Sequence, residues 1–240
     1  MATFVLVSGA WHAGWCWERV VPLLEAAGHQ VVAPDLLGMG GDKTPLSTVT
    51  LARWADQIAD IIAGLADKVV LVGHSRGGIV ISAVAERAPD RIETLVYLAA
   101  FLVPPGQTLF DVANRISREA KPGVVIAGDD GTTTIHPDAV GPAFYNRTEP
   151  AWIARAKEQL TPEPMAVFTT PLALTSDRFG SVRRAYIECA EDNAVPLELQ
   201  RLMQEELPCS PVFTLESDHS PFFSSPGALV DCLQRIADER

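Results

Sequence analysis

The chain has 240 residues, 48% of them apolar and 20% charged, which suits one large domain with a substantial core. Its formal net charge of -11 repels phosphate backbones, so nucleic acid is not an expected partner. The four cysteines, Cys16, Cys189, Cys209 and Cys232, form no CxxC pair and no Cys/His cluster of zinc-ligand spacing, so free thiols and no metal or cofactor are expected.

Met1 leads into Thr3-Phe4-Val5-Leu6-Val7 with no basic segment before it. No stretch approaches the roughly 18 apolar residues of a membrane span. A soluble, cytoplasmic chain is the expectation. Phe4 to Val7 reads as a buried strand. Trp15 to Ala27 has helical periodicity, with Trp17, Val20, Val21 and Leu24 on one side and Gly28 as the stop. A strand follows over Gln30 to Ala33, then a helix over Leu51 to Leu65 with Trp54, Ile58, Ile61 and Ile62 inward. Lys68 to Val72 is the third strand, Arg76 to Ala88 a helix, and Ile92 to Leu98 the fourth strand. Alternating strands and helices with continuous apolar strands predict a parallel sheet covered on both faces, an α/β fold.

The rhythm breaks after residue 103. Pro104, Pro105, Pro122, Pro137, Pro142, Pro150, Pro162, Pro164 and Pro171 punctuate a segment without clear strand alternation, in which Ala151 to Leu160 reads as a short amphipathic helix. The pattern resumes with a strand over Arg184 to Cys189, a helix over Pro196 to Glu206, a strand over Pro211 to Leu215 and a helix over Pro226 to Ala237. Residues 1–103 and 183–240 are therefore expected to form the core domain, with 104–182 as a helical cap inserted over the site. The insertion is too long for a passive loop, and insertions after strand C-termini in open α/β sheets lie over the binding crevice. A subdomain with no part in the site is the alternative.

Gly73-His74-Ser75-Arg76-Gly77 lies between the third strand and its helix. This is the G-x-S-x-G turn that holds a strained serine above a sheet, with glycines where side chains would collide. A glycine-rich turn with a capping serine is the structural alternative. Serine needs a base. His219, in the loop after the strand Pro211 to Leu215, fits better than His12, His29, His74 or His136. The base needs a carboxylate to orient it. Asp192 follows the strand Arg184 to Cys189 and completes the order Ser, Asp, His, ahead of Glu188, Glu191, Asp218 and Asp35. The backbone N–H groups of Ala10 and Arg76 are the expected oxyanion donors. Gly9 would let that loop approach a substrate. His12, Phe101, Phe110, Phe144, Tyr145, Trp152 and Phe168 are candidates for a substrate pocket, although each aromatic of the insertion could equally serve its packing.

With these residues in view, the chain resembles the α/β-hydrolase family of plant methylesterases and hydroxynitrile lyases, with their bacterial esterase relatives. The resemblance runs nearly end to end. Phe4-Val5-Leu6-Val7-Ser8-Gly9-Ala10, Pro22-Leu23-Leu24-Glu25-Ala26-Ala27-Gly28-His29, Val72-Gly73-His74-Ser75, Leu98-Ala99-Ala100-Phe101, Arg178-Phe179-Gly180-Ser181-Val182 and Tyr186-Ile187-Glu188-Cys189-Ala190-Glu191-Asp192 carry it. It implies the same three residues, Ser75, Asp192 and His219. It also implies a choice between two chemistries. The lyases carry a threonine in the oxyanion loop and a lysine after the histidine, where this chain has Gly9 and Ser220; both differences favour ester hydrolysis. The family's loop usually begins His-Gly, and here it is Ser8-Gly9. Arg76 stands where many relatives carry leucine. Ser220-Pro221-Phe222-Phe223 is similar to bacterial esterases, including pyrethroid-type hydrolases. The expectation is a cofactor-independent hydrolase of small to medium hydrophobic esters, with a small-molecule ester as partner and room for a homodimer. A cyanohydrin-type lyase and a non-catalytic ligand-binding protein on the same fold are the other readings.

Overall fold

The computed structural model describes residues 1–116 and 124–239; Pro122 lies outside them. The chain opens with β1 (Thr3–Val7), α1 (Val21–Ala26), β2 (Gln30–Val32), α2 (Leu51–Ala63), β3 (Val69–His74), α3 (Gly77–Arg87) and β4 (Ile92–Leu98). The segment 104–182 carries α4 (Leu109–Ala113), β5 (Val125–Ala127), β6 (Thr132–Ile135), α5 (Pro137–Phe144), α6 (Pro150–Gln159) and β7 (Glu163–Pro164). It closes with β8 (Arg184–Cys189), α7 (Leu197–Glu206), β9 (Val212–Leu215), α8 (Pro221–Ser224) and α9 (Pro226–Asp238). Among the described residues no helix is long and apolar enough to cross a membrane.

Six strands pair in parallel in the order β2-β1-β3-β4-β8-β9. β1 and β3 are buried along their whole length, as their unbroken apolar runs require of strands covered on both faces. α2 covers the sheet with Trp54, Ile58 and Ile62, and Thr50 caps its first turn by accepting from the Arg53 N–H. α3 is buried from Gly77 to Ala85, hence its apolar character all round. From β1 the chain moves outward to β2, then returns to the other side of β1 for β3. That reversal puts the switch point of the sheet at the C-terminal ends of β1 and β3, the usual ligand position in such sheets.

Two expectations need correction. Trp15 to Ala27 is not one helix: a 3-10 turn over Gly14–Trp17 comes first, and the α-helix begins only at Val21. The N–H groups of Glu18 and Val20 bond three residues back, to the carbonyls of Trp15 and Trp17, which closes 3-10 turns there in place of α-helical ones. Nor is the insertion purely helical. β5, β6 and β7 form a three-stranded antiparallel sheet, with Thr133 opposite Glu163.

Candidate active site

Ser75 has φ +53, in the left-handed region that non-glycine residues rarely enter. Three backbone bonds hold it there: its N–H donates to the Leu98 carbonyl, and its own carbonyl accepts from Gly78 and Phe101. The neighbouring glycines are steric necessities. A Cβ at Gly73 would stand 2.7 Å from the Gly77 carbonyl oxygen, and one at Gly77 would stand 2.9 Å from the carbonyl oxygens of both Val7 and Ser8. The turn packs directly on the end of β1, and Ser75 opens the N-terminal end of α3, the positive end of its dipole.

His219 and Asp192 arrive from the loops after β9 and β8. His219 Nδ1 lies 2.7 Å from Asp192 Oδ2, with both side chains almost wholly buried. The other carboxylate oxygen, Oδ1, accepts the N–H groups of Ala194 and Val195, each at 2.7 Å, which fixes its plane. A carboxylate can only accept, so Nδ1 carries the hydrogen it donates to Asp192. His74 packs against this ring at 4.5 Å between centroids and donates from Nε2 to the His219 carbonyl at 2.7 Å. Burial holds His74 well below the usual imidazole range, and the His219 and His12 rings add to that, so it is a neutral prop. The other carboxylates have other partners. Glu188 binds Arg201, Gln204 and Thr214. Glu191 pairs with Arg147, and Asp35 accepts from Gly14 and Gly41. Asp218 accepts from Arg147, Thr148, Ser220 and Ser224.

The loop after β1 lies beside Ser75. A Cβ at Gly9 would be 2.9 Å from Ser75 Cβ and 2.7 Å from His74 Nδ1, so only glycine fits. Among the described residues the N–H groups of Ala10 and Arg76 donate to no backbone or side-chain acceptor. His12 Nδ1 donates to the Ala10 carbonyl at 2.7 Å. Burial lowers His12 to about 4, so its Nε2 is an acceptor, 2.5 Å from the Tyr145 hydroxyl. Burial pushes that hydroxyl well above its ordinary range, which keeps it a donor.

The candidate pocket aromatics separate into groups. Phe144 lies 5.5 Å from the His219 ring and 5.8 Å from His12, and Phe168 lies tilted beside Trp11 at 6.1 Å. Phe101 is buried, and its N–H braces the Ser75 carbonyl. Phe110 is exposed and lies on Phe168. Trp152 stacks on Phe223 at 5.0 Å, and the Arg19 guanidinium lies over its ring at 5.0 Å; these contacts include no residue of the Ser75 turn. Two residues without a role in the sequence expectation stand at the site, Trp11 and Glu163, and Asp218, a rival carboxylate there, instead ties the residue 147–148 turn to the His219 loop. Glu163 is fully buried; its Oε1 and Oε2 each lie 3.0 Å from the Arg76 guanidinium, and Oε2 also accepts the Trp11 N–H at 2.9 Å. A charged residue between Pro162 and Pro164, and an arginine on a turn that must be buried, are the signals that could have joined the two. Among the described residues no group of three or more His, Cys, Asp or Glu side chains could hold a metal ion, and the four cysteines are free.

A family model described as the alpha/beta hydrolase family matches residues 4–232. Methylesterase 7 of Arabidopsis thaliana is 33% identical, over 98% of this chain and 96% of its own length. The putative chloroplastic methylesterase 11 of the same plant is 34% identical over 98% of this chain, which spans only 63% of that protein. The crystal structure of a pyrethroid hydrolase from Sphingobium faniae superposes with a TM-score of 0.87 at 31% identity, covering 99% of this chain and 98% of that one.

Proposed function

The chain belongs to the alpha/beta hydrolase family, and on that premise we propose that it is a serine-dependent carboxylic ester hydrolase working through Ser75, His219 and Asp192. The observation that carries the reading is the 2.7 Å bond from His219 Nδ1 to Asp192 Oδ2, made in the loops that flank a strained, glycine-framed Ser75. A methylesterase among the relatives and a pyrethroid hydrolase among the structural neighbours support it.

In this mechanism His219 Nε2 takes the Ser75 proton as Oγ attacks the ester carbonyl. The tetrahedral oxyanion sits between the Ala10 and Arg76 N–H groups. His219 then protonates the departing alcohol, and water releases the acyl group by the same steps. Asp192 holds the ring in its tautomer through the Nδ1 bond. The segment 104–182 acts as the cap over this centre, with Phe144 and Phe168 as its apolar wall. The charges beside Ser75 are already engaged with one another, Arg76 with Glu163 and His219 with Asp192, which favours a neutral, hydrophobic ester. No cofactor enters any step.

A short-acyl p-nitrophenyl ester tests this. Wild type is expected to release a burst of p-nitrophenol, and Ser75→Ala to fold normally with no turnover. Equal hydrolysis by Ser75→Ala would sink the mechanism.

A further inference from the structure

We propose that the buried Arg76–Glu163 pair is a positioning device that aims the Ala10 N–H into the oxyanion site; this rests on the ester-hydrolase reading above. Peptide planarity carries the argument. A trans peptide unit is flat, with its C=O and N–H pointing in opposite directions. The Gly9 carbonyl and the Ala10 N–H belong to one unit. Arg76 Nη2 grips that carbonyl at 2.9 Å, closer than its other donor, the His12 N–H at 3.4 Å, so the guanidinium is the main hold on the direction of the N–H at the other end. The next unit joins the Ala10 carbonyl to the Trp11 N–H. His12 Nδ1 holds its oxygen at 2.7 Å, and Glu163 Oε2 holds its N–H at 2.9 Å. Both units flanking Ala10 are thus pinned, and Glu163 and Arg76 pin each other.

The loop needs such clamps. Trp11 has φ +60, a conformation that persists only where the surroundings over-determine it. The insertion supplies further holds: the Thr161 N–H donates to the Trp11 carbonyl, and Trp11 Nε1 donates to the Thr133 carbonyl. Arg76 lies over the Trp54 ring at 4.4 Å, which fixes the guanidinium from its flat side. With leucine at position 76, the Gly9 carbonyl would lose this donor and Glu163 would be a buried charge without its partner. The arginine therefore serves the site twice. Its backbone N–H is one oxyanion donor, and its side chain sets the direction of the other.

The test compares wild type, Glu163→Gln and the double variant Arg76→Leu/Glu163→Leu, which removes both buried charges together. Three quantities are read: kcat and KM on a p-nitrophenyl butyrate substrate, Ki for an aryl trifluoromethyl ketone that forms a tetrahedral oxyanion on serine, and Ki for the unfluorinated methyl ketone of the same shape. Displacing a donor without deleting it is expected to lower kcat by about 10- to 100-fold, below the loss for outright removal. KM and the methyl ketone Ki should hold, while the trifluoromethyl ketone weakens by the same factor as kcat/KM. An unchanged kcat in the folded variants overturns the proposal. So does equal weakening of both ketones, which marks a merely loosened pocket, or loss of the folded state by circular dichroism in both variants, which marks a pair that holds the fold. If one variant folds, its kinetics decide. Wild-type turnover that depends on Ser75 separates the two claims. Its absence defeats the esterase reading itself, while its presence with unaltered variants defeats only the positioning role.

Discussion

At the Ser75 turn, single atoms decide what the backbone allows. Gly78 is the sharpest case, since a Cβ there would collide with the Phe101 carbonyl oxygen, and backbone lies on both sides of the contact. Neither partner can rotate away, so α3 must shift. Gly78→Ala is expected to destabilise the fold by about 1–3 kcal/mol and to lower kcat/KM, because α3 carries the Arg76 N–H. Gly28 makes the contrast: its φ of +86 strains any side chain, but nothing lies within 4 Å of a Cβ. Gly28→Ala should cost only about 1 kcal/mol and leave activity alone. Urea midpoints and kcat/KM for the two variants check this, and equal behaviour would refute the steric account. Gly73 and Gly77 were legible in sequence because their collisions are local to the turn and the neighbouring strand. Gly78 was legible as a glycine but not as a contact, since its opponent lies beyond β4. Arg76 was legible as a departure from the leucine of relatives; its partner Glu163 lies 87 positions away, and no spacing rule joins them.

Elements divide in the same way. β1, β3, β4 and β8 were readable because a strand buried on both faces is mostly apolar, with polar residues such as Glu93 and Arg184 near the start of β4 and β8. β5, β6 and β7 have three, four and two residues, too few for alternation to register, and β5 is exposed along its length. The insertion docks through apolar side chains such as Phe144 and Phe168 on Trp11, and through two buried carboxylates, Glu163 at the loop after β1 and Asp218 beside His219. Asp218 Oδ2 accepts the Arg147 N–H at 2.9 Å and the Thr148 hydroxyl at 2.8 Å; Oδ1 accepts the Ser220 N–H at 3.0 Å and the Ser224 hydroxyl at 2.8 Å. Asparagine at this position would turn an NH2 group toward one pair of donors. Hydrogen bonds to a charged group contribute about 1.5–3 kcal/mol each, so Asp218→Asn should open this junction before it unfolds the core. Hydrogen exchange is expected to quicken at the amides of Arg147, Thr148 and Ser220 while those of β1 and β3 stay protected. Uniform quickening across the sheet would show that Asp218 serves the whole fold and not this junction.

For the whole molecule, acidification sets two effects against each other. The formal charge of -11 falls toward zero near the sequence pI of about 4.9, which relieves self-repulsion and favours the compact state. Against this, His12 and His74 are buried as neutral rings. Burial lowers His12 to about 4 and holds His74 well below its ordinary range. An unfolded histidine titrates near 6.5. Between pH 6.5 and 4 the unfolded chain therefore binds a proton at position 12 that the folded chain refuses. Stability is full above pH 6.5 and is lost as pH falls through that window, by on the order of 3 kcal/mol for His12 alone. His74 acts in the same direction. The surface charges are scattered and screened beyond about 8–10 Å at ordinary salt, so relief of their repulsion should be the smaller effect. The urea midpoint is accordingly expected to fall from pH 7 to 5, even as the chain approaches its pI. His12→Gln cannot take up a proton and should show a shallower fall at identical salt. A midpoint that rises on acidification, or a variant as steep as wild type, would mean that the buried imidazoles do not govern the acid limb.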